Sequence, residues 1–205
     1  MRIAIVGGTG TFGRALVHRL RGLDDVVIGS RDASRAREIG VIHGVAGAAN
    51  EDAVREAELV VLAVRSNAAV DTARELAGAI GTTPLLSVGA DLRFTDVGVL
   101  PGRLGRSLAE EIADIVEGPV AAGLQTLAAA HLVQADPPEE DALVCGDEPA
   151  CGLAMDVAAR LIRGRVFNVG PLANARALEG LTSVILNVNK RHRGAMAGIR
   201  LTGVP

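Results

Sequence analysis

The chain has 205 residues, enough for one medium domain or one domain with a small appendage. Hydrophobic residues make up 49% and aromatics 1%, with no Trp or Tyr, so Val, Leu, Ile and Ala must fill the core and the stacking platforms that single-stranded nucleic acid needs are missing. A net charge of −3 argues against a nucleic-acid partner, and without a signal peptide or an apolar run of membrane-spanning length the chain reads as cytoplasmic, with no membrane partner.

The first predicted strand, residues 2–6, ends in Gly7-Gly8-Thr9-Gly10-Thr11-Phe12-Gly13, and a helix is predicted over 11–21. Gly8, Gly10 and Gly13 match the G-x-G-x-x-G spacing of a dinucleotide-binding turn. The first allows the tight turn, the second lets a diphosphate approach the backbone, and the third lets helix pack on strand. Phosphate then sits on the free N–H groups of the helix start. The alternative is a bare glycine-rich turn. The second strand, 25–29, selects the dinucleotide, because an acid at its C-terminal end would accept the ribose hydroxyls of NAD. No acid is there. Ser30, Arg31 and Arg35 follow, a hydroxyl and two guanidinium groups that suit a 2′-phosphate, which predicts NADP. The competing reading has Arg31 and Arg35 decorating a solvated helix beside Asp32 and Glu38.

Further along, the pattern predicts a helix at 33–39, a strand at 41–43, a small-residue loop at 44–49 and a helix at 50–57 opened by Asn50 as N-cap. Strands follow at 59–64, 84–88, 119–122, 142–145 and 165–169, with helices at 67–80, 107–117, 149–163 and 174–196. Strand and helix alternate and several strands are apolar throughout, which predicts an α/β fold: a Rossmann-type doubly wound parallel sheet with a small C-terminal α/β lobe. The acidic, proline-containing run Ala135–Asp141 places a division near 140. Residues 1–140 would form the NADP-binding domain, and 141–205 a small C-terminal lobe with a long helix that completes the cleft.

Ligands of such sheets sit beyond the C-terminal strand ends. The tips there supply no Ser/His/Asp or Cys/His set and no lysine base, so no catalytic side chain is assigned; placement of a cofactor for hydride transfer suits them better. Cys145 and Cys151 read as reduced and structural, and the four histidines lack metal-ligand spacing, so no metal site is expected. The basic stretch Lys190-Arg191-His192-Arg193, with Arg200 beyond, reads either as an anion-binding patch or as a solvated helix end. The apolar face of Leu178, Leu181, Ile185 and Val188 reads as core or dimer interface.

The chain resembles the NADPH-dependent reductases of the 8-hydroxy-5-deazaflavin coenzyme F-420 (F420) over nearly its whole length. The resemblance is carried by Gly7-Gly8-Thr9-Gly10, Gly29-Ser30-Arg31, Asn50-Glu51-Asp52-Ala53, Cys145-Gly146-Asp147 and Gly170-Pro171-Leu172-Ala173-Asn174-Ala175-Arg176, followed by Glu179-Gly180-Leu181-Thr182 and Leu186-Asn187. It implies a dimeric oxidoreductase that passes hydride between NADP and the deazaflavin in one cleft. By that resemblance Thr9, Thr11 and Phe12 contact the diphosphate, and Ser30, Arg31 and Arg35 the 2′-phosphate. Ala63, Val64 and Arg65 border the nicotinamide, and Gln125, Thr126, Leu127, Ala197 and Gly198 fall where the family holds the deazaflavin. Family members often have Pro-Trp where this chain has Val64-Arg65, and His where it has Gln125, which can donate a hydrogen bond but cannot titrate. Two other functions stay open: an NADPH-dependent reductase of a flavin, imine or carbonyl acceptor, and a non-catalytic NADP-binding module.

Overall fold

The computed structural model describes residues 1–103, 105–193 and 196–204. Its elements, in chain order, are β1 (Arg2–Val6), α1 (Thr11–Leu20), β2 (Asp25–Ser30), α2 (Ala33–His43), β3 (Ala46–Ala49), α3 (Asn50–Val54), β4 (Leu59–Leu62) and α4 (Ser66–Ile80). Then come β5 (Leu85–Ser87), the hairpin β6 (Leu92–Thr95) and β7 (Gly98–Pro101), α5 (Leu108–Ala113), β8 (Val120–Gly123) and α6 (Ala129–Leu132). The chain closes with β9 (Ala142–Gly146), α7 (Ala150–Leu161), β10 (Val166–Asn168), a 3-10 turn at Leu172–Asn174, and α8 (Ala175–Arg191).

One eight-stranded sheet carries the fold, in the order β10-β9-β8-β5-β4-β1-β2-β3. Every pairing is parallel except β8 with β9. The reason lies in the alternation along each strand. Ile3 and Ile5 of β1 pack with Leu16 and Leu20 of α1 in one core, while Ala4 and Val6 face the other core with Leu76 and Ile80 of α4. Helices therefore cover both faces, and the strands are apolar on both sides, as a parallel sheet requires. The expected Rossmann-type α/β sheet is what the chain forms, and β9 and β10, from beyond residue 140, extend it through the one antiparallel joint.

Several expected boundaries need correction. Residues 41–43 form the end of α2, not a strand, and the expected loop at 44–49 contains β3. Gly44, in the left-handed conformation at φ 70°, ends the helix. The following small residues then pair with Val27–Ser30 of β2. They are small because α2 lies close: a Cβ on Gly47 would stand 2.2 Å from the carbonyl oxygen of Ala36. The helix expected at 33–39 thus runs on to His43, that at 50–57 ends at Val54, and that at 107–117 at Ala113. The helix expected at 174–196 ends at Arg191, and its residues 194 and 195 lie outside the described residues. The β6–β7 hairpin and the short α6 were not expected.

Among the described residues no helix is long and apolar enough to cross a membrane. No group of three or more His, Cys, Asp or Glu side chains among them is placed to hold a metal. Cys145 and Cys151 are free and buried, and burial pushes the Cys145 thiol up to about 12, which removes it from thiolate chemistry.

Candidate cofactor-binding cleft

The parallel strands β1, β2, β4, β5 and β8 bring their C-terminal tips to one edge of the sheet. At the centre of that edge the chain leaves β1 through Gly7, at φ 84°, whose N–H donates to the Gly29 carbonyl of β2 at 3.1 Å. The three motif glycines then divide the work by geometry. A Cβ on Gly8 would meet the Ile5 carbonyl oxygen at 2.9 Å, so the turn itself excludes a side chain there. A Cβ on Gly13 would fall 2.4 Å from the Gly7 oxygen and 2.7 Å from the Gly8 Cα, so α1 touches the loop backbone. Gly10 differs: its Cβ would meet only the Gly7 oxygen, at 3.2 Å, and otherwise open space. That open side is where a ligand can reach the backbone.

Gly10 is the N-cap of α1 and offers no side chain to its first N–H groups. Those donors, with the positive end of the helix dipole, face the edge unsatisfied by a cap, a ready anion site. Thr9, Thr11 and Phe12 flank it on the same turn.

At the end of β2, Ser30 is buried and its Oγ accepts from the Asp32 N–H at 3.2 Å. Asp32 in turn caps α2, accepting from the N–H groups of Ser34 and Arg35 at 2.9 and 3.1 Å. Asp32 is thereby engaged with backbone. Arg31 and Arg35 are exposed, and among the described residues neither guanidinium has a hydrogen-bonding or ion-pair partner. Two exposed guanidinium groups without a partner among the described residues, beside a buried hydroxyl in sequence, have the chemistry to accept a phosphate monoester.

The β4 tip adjoins the glycine loop: a Cβ on Gly7 would stand 2.7 Å from the Ala63 oxygen and 2.9 Å from Cγ1 of Val64. Arg65, exposed, is the N-cap of α4. Behind it the Ser66 hydroxyl donates to Asp91 at 3.3 Å, and Asp91 pairs with Arg103 at 3.1 Å, which also pairs with Glu111. This network was not read from the sequence, since its members come from four separate segments.

At the β8 tip Leu124, buried, adopts φ 70°, a left-handed conformation that a non-glycine residue takes only under constraint. The constraint is visible. Gln125 donates from Nε2 to the Ser87 carbonyl at 3.3 Å, Thr182 of α8 donates from Oγ1 to the Gln125 carbonyl at 3.1 Å, and Leu127 N–H closes the turn onto Leu124 at 3.0 Å. Gln125, Thr126 and Leu127 are all buried. Ala197 is tied to α8 as well, its N–H donating to Asn189 Oδ1 at 2.7 Å. The structure thus gathers Gly8–Gly13, Ser30, Arg31, Ala63 and Val64 around the adjacent tips of β1, β2 and β4, while Gln125–Leu127 stand at the β8 tip, separated from β4 by β5, with α8 linking them to Ala197. A separate groove of about 470 Å³ lies between the β6–β7 hairpin and α8, lined by Phe94, Val99, Leu186 and Lys190 among others; none of the residues predicted for the site lines it. Lys190 and Arg191 sit in the last turn of α8, where cations complement the helix dipole.

One buried carboxylate had no role in the sequence reading. Glu179 accepts from the N–H groups of Leu108 and Ala109 at 3.0 and 3.2 Å, capping α5 from α8. Burial raises it to about 7, against the lowering effect of those two bonds and of Arg103.

The family model "NADP oxidoreductase coenzyme F420-dependent" matches residues 2–91, the span from β1 to the end of the β5 connection. Over 222 residues the chain is 31% identical to the F420-dependent NADP reductase of Methanocaldococcus jannaschii, covering 100% of this chain and 99% of that protein. It is 33% identical over 228 residues to the F420-dependent NADP reductase of Methanothermobacter thermautotrophicus, covering 100% and 96%. The crystal structure of a protein from Arthrobacter sp. FB24 superposes with a TM-score of 0.84 at 24% identity, over 98% of this chain and 99% of that one, and so shares its fold. With the glycine loop, the Ser30-Arg31 corner and the C-terminal helix all inside these full-length matches, the chain belongs to the family of F420-dependent NADP reductases.

Proposed function

We propose that this chain transfers a hydride between NADP(H) and coenzyme F420 across the edge formed by the tips of β1, β2, β4 and β8. The observation that carries the reading is the pair of exposed guanidinium groups, Arg31 and Arg35, without a partner among the described residues, beside a glycine loop whose Gly10 is open to ligand, in a chain of this family. The backbone from Gly8 to Gly13 holds the diphosphate, with Thr9, Thr11 and Phe12 around it. Ser30, Arg31 and Arg35 hold the 2′-phosphate.

Ala63, Val64 and Arg65 border the nicotinamide. Gln125, Thr126, Leu127 and Ala197 form the deazaflavin side. The bound nucleotide supplies the hydride chemistry, and the chain's part is to orient two rings and exclude water. No side chain needs to titrate for that step, which agrees with Gln125 in place of an ionisable group. The Arg65 cation disfavours the oxidised, positive nicotinamide and attracts an anionic partner at the same edge. Residues 1–140 act as the NADP-binding part and 141–205 as the lobe that completes the cleft. The enzyme works in the cytoplasm as a homodimer, for which the exposed Phe94 and Val97 of the hairpin and Val184 and Val188 of α8 offer apolar surface.

Absorbance of the oxidised deazaflavin band after mixing the protein with NADPH and F420 tests the reading, with NADH and free FMN as controls. Bleaching that requires NADPH is the expected result. Tight NADPH binding without bleaching would overturn it and transfer the activity to another acceptor.

A further inference from the structure

The C-terminal segment 196–204 crosses the end of the molecule without secondary structure, yet it is tied down at successive residues. Ile199 accepts at its carbonyl from the Asp141 N–H at 2.7 Å, and the Leu201 N–H donates to Asp141 Oδ2 at 2.8 Å. Asp141 is itself paired with Arg165 at 2.8 Å, and Arg165 donates onward to the Val204 carbonyl at 2.6 Å. Those bonds explain why the segment stays in place. They leave Glu140 unexplained.

Glu140 is 8% exposed, and among the described residues only one of its oxygens is satisfied: Oε1 lies 3.0 Å from Nδ1 of His131, while Oε2 is buried with no hydrogen-bonding partner among them. A half-satisfied buried carboxylate is a poor stability device, because an apolar side chain of the same size would avoid the desolvation. Its position is informative instead. Oε2 occupies the space a Cβ on Gly198 would need, 1.9 Å from that atom's place, so the Glu140 side chain packs directly on residue 198 and sets how closely it approaches. On its other side His131 belongs to α6, which starts two residues after Leu127. Glu140, in hydrogen-bond contact with His131 on one side and packed on Gly198 on the other, thus stands between α6, which follows the Gln125–Leu127 loop, and the Ala197–Gly198 segment, two stretches 70 residues apart in sequence that form opposite walls of the proposed deazaflavin side.

We propose that Glu140, held by His131, is a positioning residue for the second substrate: it fixes the spacing between the β8-tip loop and the C-terminal segment, and so the width of the slot that receives the deazaflavin. The inference rests on the F420 reading above for the identity of that substrate; the tether itself does not. Although α6 packs on α1, among the described residues neither Glu140 nor His131 hydrogen-bonds or ion-pairs with the glycine loop or the Ser30-Arg31 corner, so the effect should fall on the second substrate rather than the nucleotide.

Glu140→Gln keeps the shape and loses the charge, and His131→Gln keeps a donor toward Glu140. In Glu140→Gln, the amides of residues 197–201 should exchange faster than in wild type in cofactor-free protein, while those of α8 do not. The KM for F420 should rise about tenfold, the scale of one charge-assisted hydrogen bond. The kcat and the Kd for NADPH should stay within about twofold of wild type, a margin of a few tenths in free-energy terms. His131→Gln should restore most of the KM that His131→Ala loses. Unchanged exchange at 197–201 overturns the tether. Faster exchange with an unchanged KM for F420 overturns its role in the slot, and so does a parallel loss of NADPH affinity and Tm, which would mark general destabilisation. A wild-type protein that leaves F420 unreduced fails the activity reading instead, and the exchange measurement distinguishes the two.

Discussion

Two glycines three residues apart, Gly10 and Gly13, should respond in opposite ways to the same added methyl. At Gly13 the methyl would be driven into backbone, 2.4 Å from the Gly7 oxygen and 2.7 Å from the Gly8 Cα, with no flexible atom to give way. Overpacking of that kind costs about 1–3 kcal/mol, here at the upper end, and the better helix propensity of Ala returns about 1 kcal/mol. The net loss is about 2 kcal/mol, or a Tm lower by about 4–8 °C for a chain of this length. At Gly10, with φ −78° and only the Gly7 oxygen at 3.2 Å, Ala needs a small shift against one atom and is a slightly poorer N-cap, a cost of about 1 kcal/mol or less, so the Tm should fall by no more than about 2–4 °C. The methyl of Gly10→Ala would instead stand on the open face where the diphosphate approaches, and a displacement costing about 2–3 kcal/mol weakens NADPH about 30- to 150-fold. Thermal unfolding and the fluorescence of bound NADPH measure the two effects separately. Wild-type affinity in Gly10→Ala would show that the motif is a turn and not a phosphate site, and wild-type stability in Gly13→Ala would refute the packing argument.

Two further outcomes are expected. Arg31→Ala should weaken NADPH by about tenfold or somewhat more, the lower range for a charged hydrogen bond because the site is exposed, and should leave NADH nearly unchanged; an unaltered preference in competing binding measurements would remove Arg31 from the 2′-phosphate. For Glu179, the folded protein holds the carboxyl proton up to about 7, against an ordinary 4.5, so the folded state binds more protons than the unfolded one between those values. Stability contributed through this group therefore falls as pH rises from about 4.5 to 7 and levels off above. Subtracting the Tm–pH curve of Glu179→Gln from that of wild type should isolate this slope, and a flat difference would place the proton elsewhere.

What the sequence made legible is the part of the fold whose chemistry is local. The glycine loop, the Ser30-Arg31 corner and the apolar run at β4 are each contiguous, and each binds or packs through its own backbone or adjacent side chains. β3 was misread because its residues, Ala46–Ala49, have no strand propensity of their own; they are chosen for the approach of α2, which the Cβ distance at Gly47 records. Val41 and Ile42 misled in the opposite direction, β-branched residues that lie 83% and 70% exposed in the last turn of a helix. The hairpin escaped because its turn at Asp96-Val97 carries no Asn-Gly or Asp-Gly signal, and part of its support comes from far away. Asn187 both accepts from the Val99 N–H at 3.0 Å and donates to the Val99 carbonyl at 2.7 Å, acting as a side-chain extension of the β7 ladder.

That last contact points to why the segments gathered by α8 resisted local reading. The C-terminal block that carries the resemblance, Glu179-Gly180-Leu181-Thr182 to Asn187, looks like an amphipathic helix with a few polar residues on the wrong face. In the folded chain each of those polar residues ends on the backbone of a different segment. Glu179 caps α5, Thr182 holds the Gln125 carbonyl at the β8 tip, and Asn187 completes the hairpin. α8 is therefore a clamp that gathers three loops whose own sequences do not specify their conformations, and the left-handed Leu124 is held by one of its jaws. A residue pattern of this kind is fixed by the positions it must reach, 71, 57 and 88 residues away. Its spacing has meaning only in the assembled sheet, whereas the phosphate turn has meaning in seven residues.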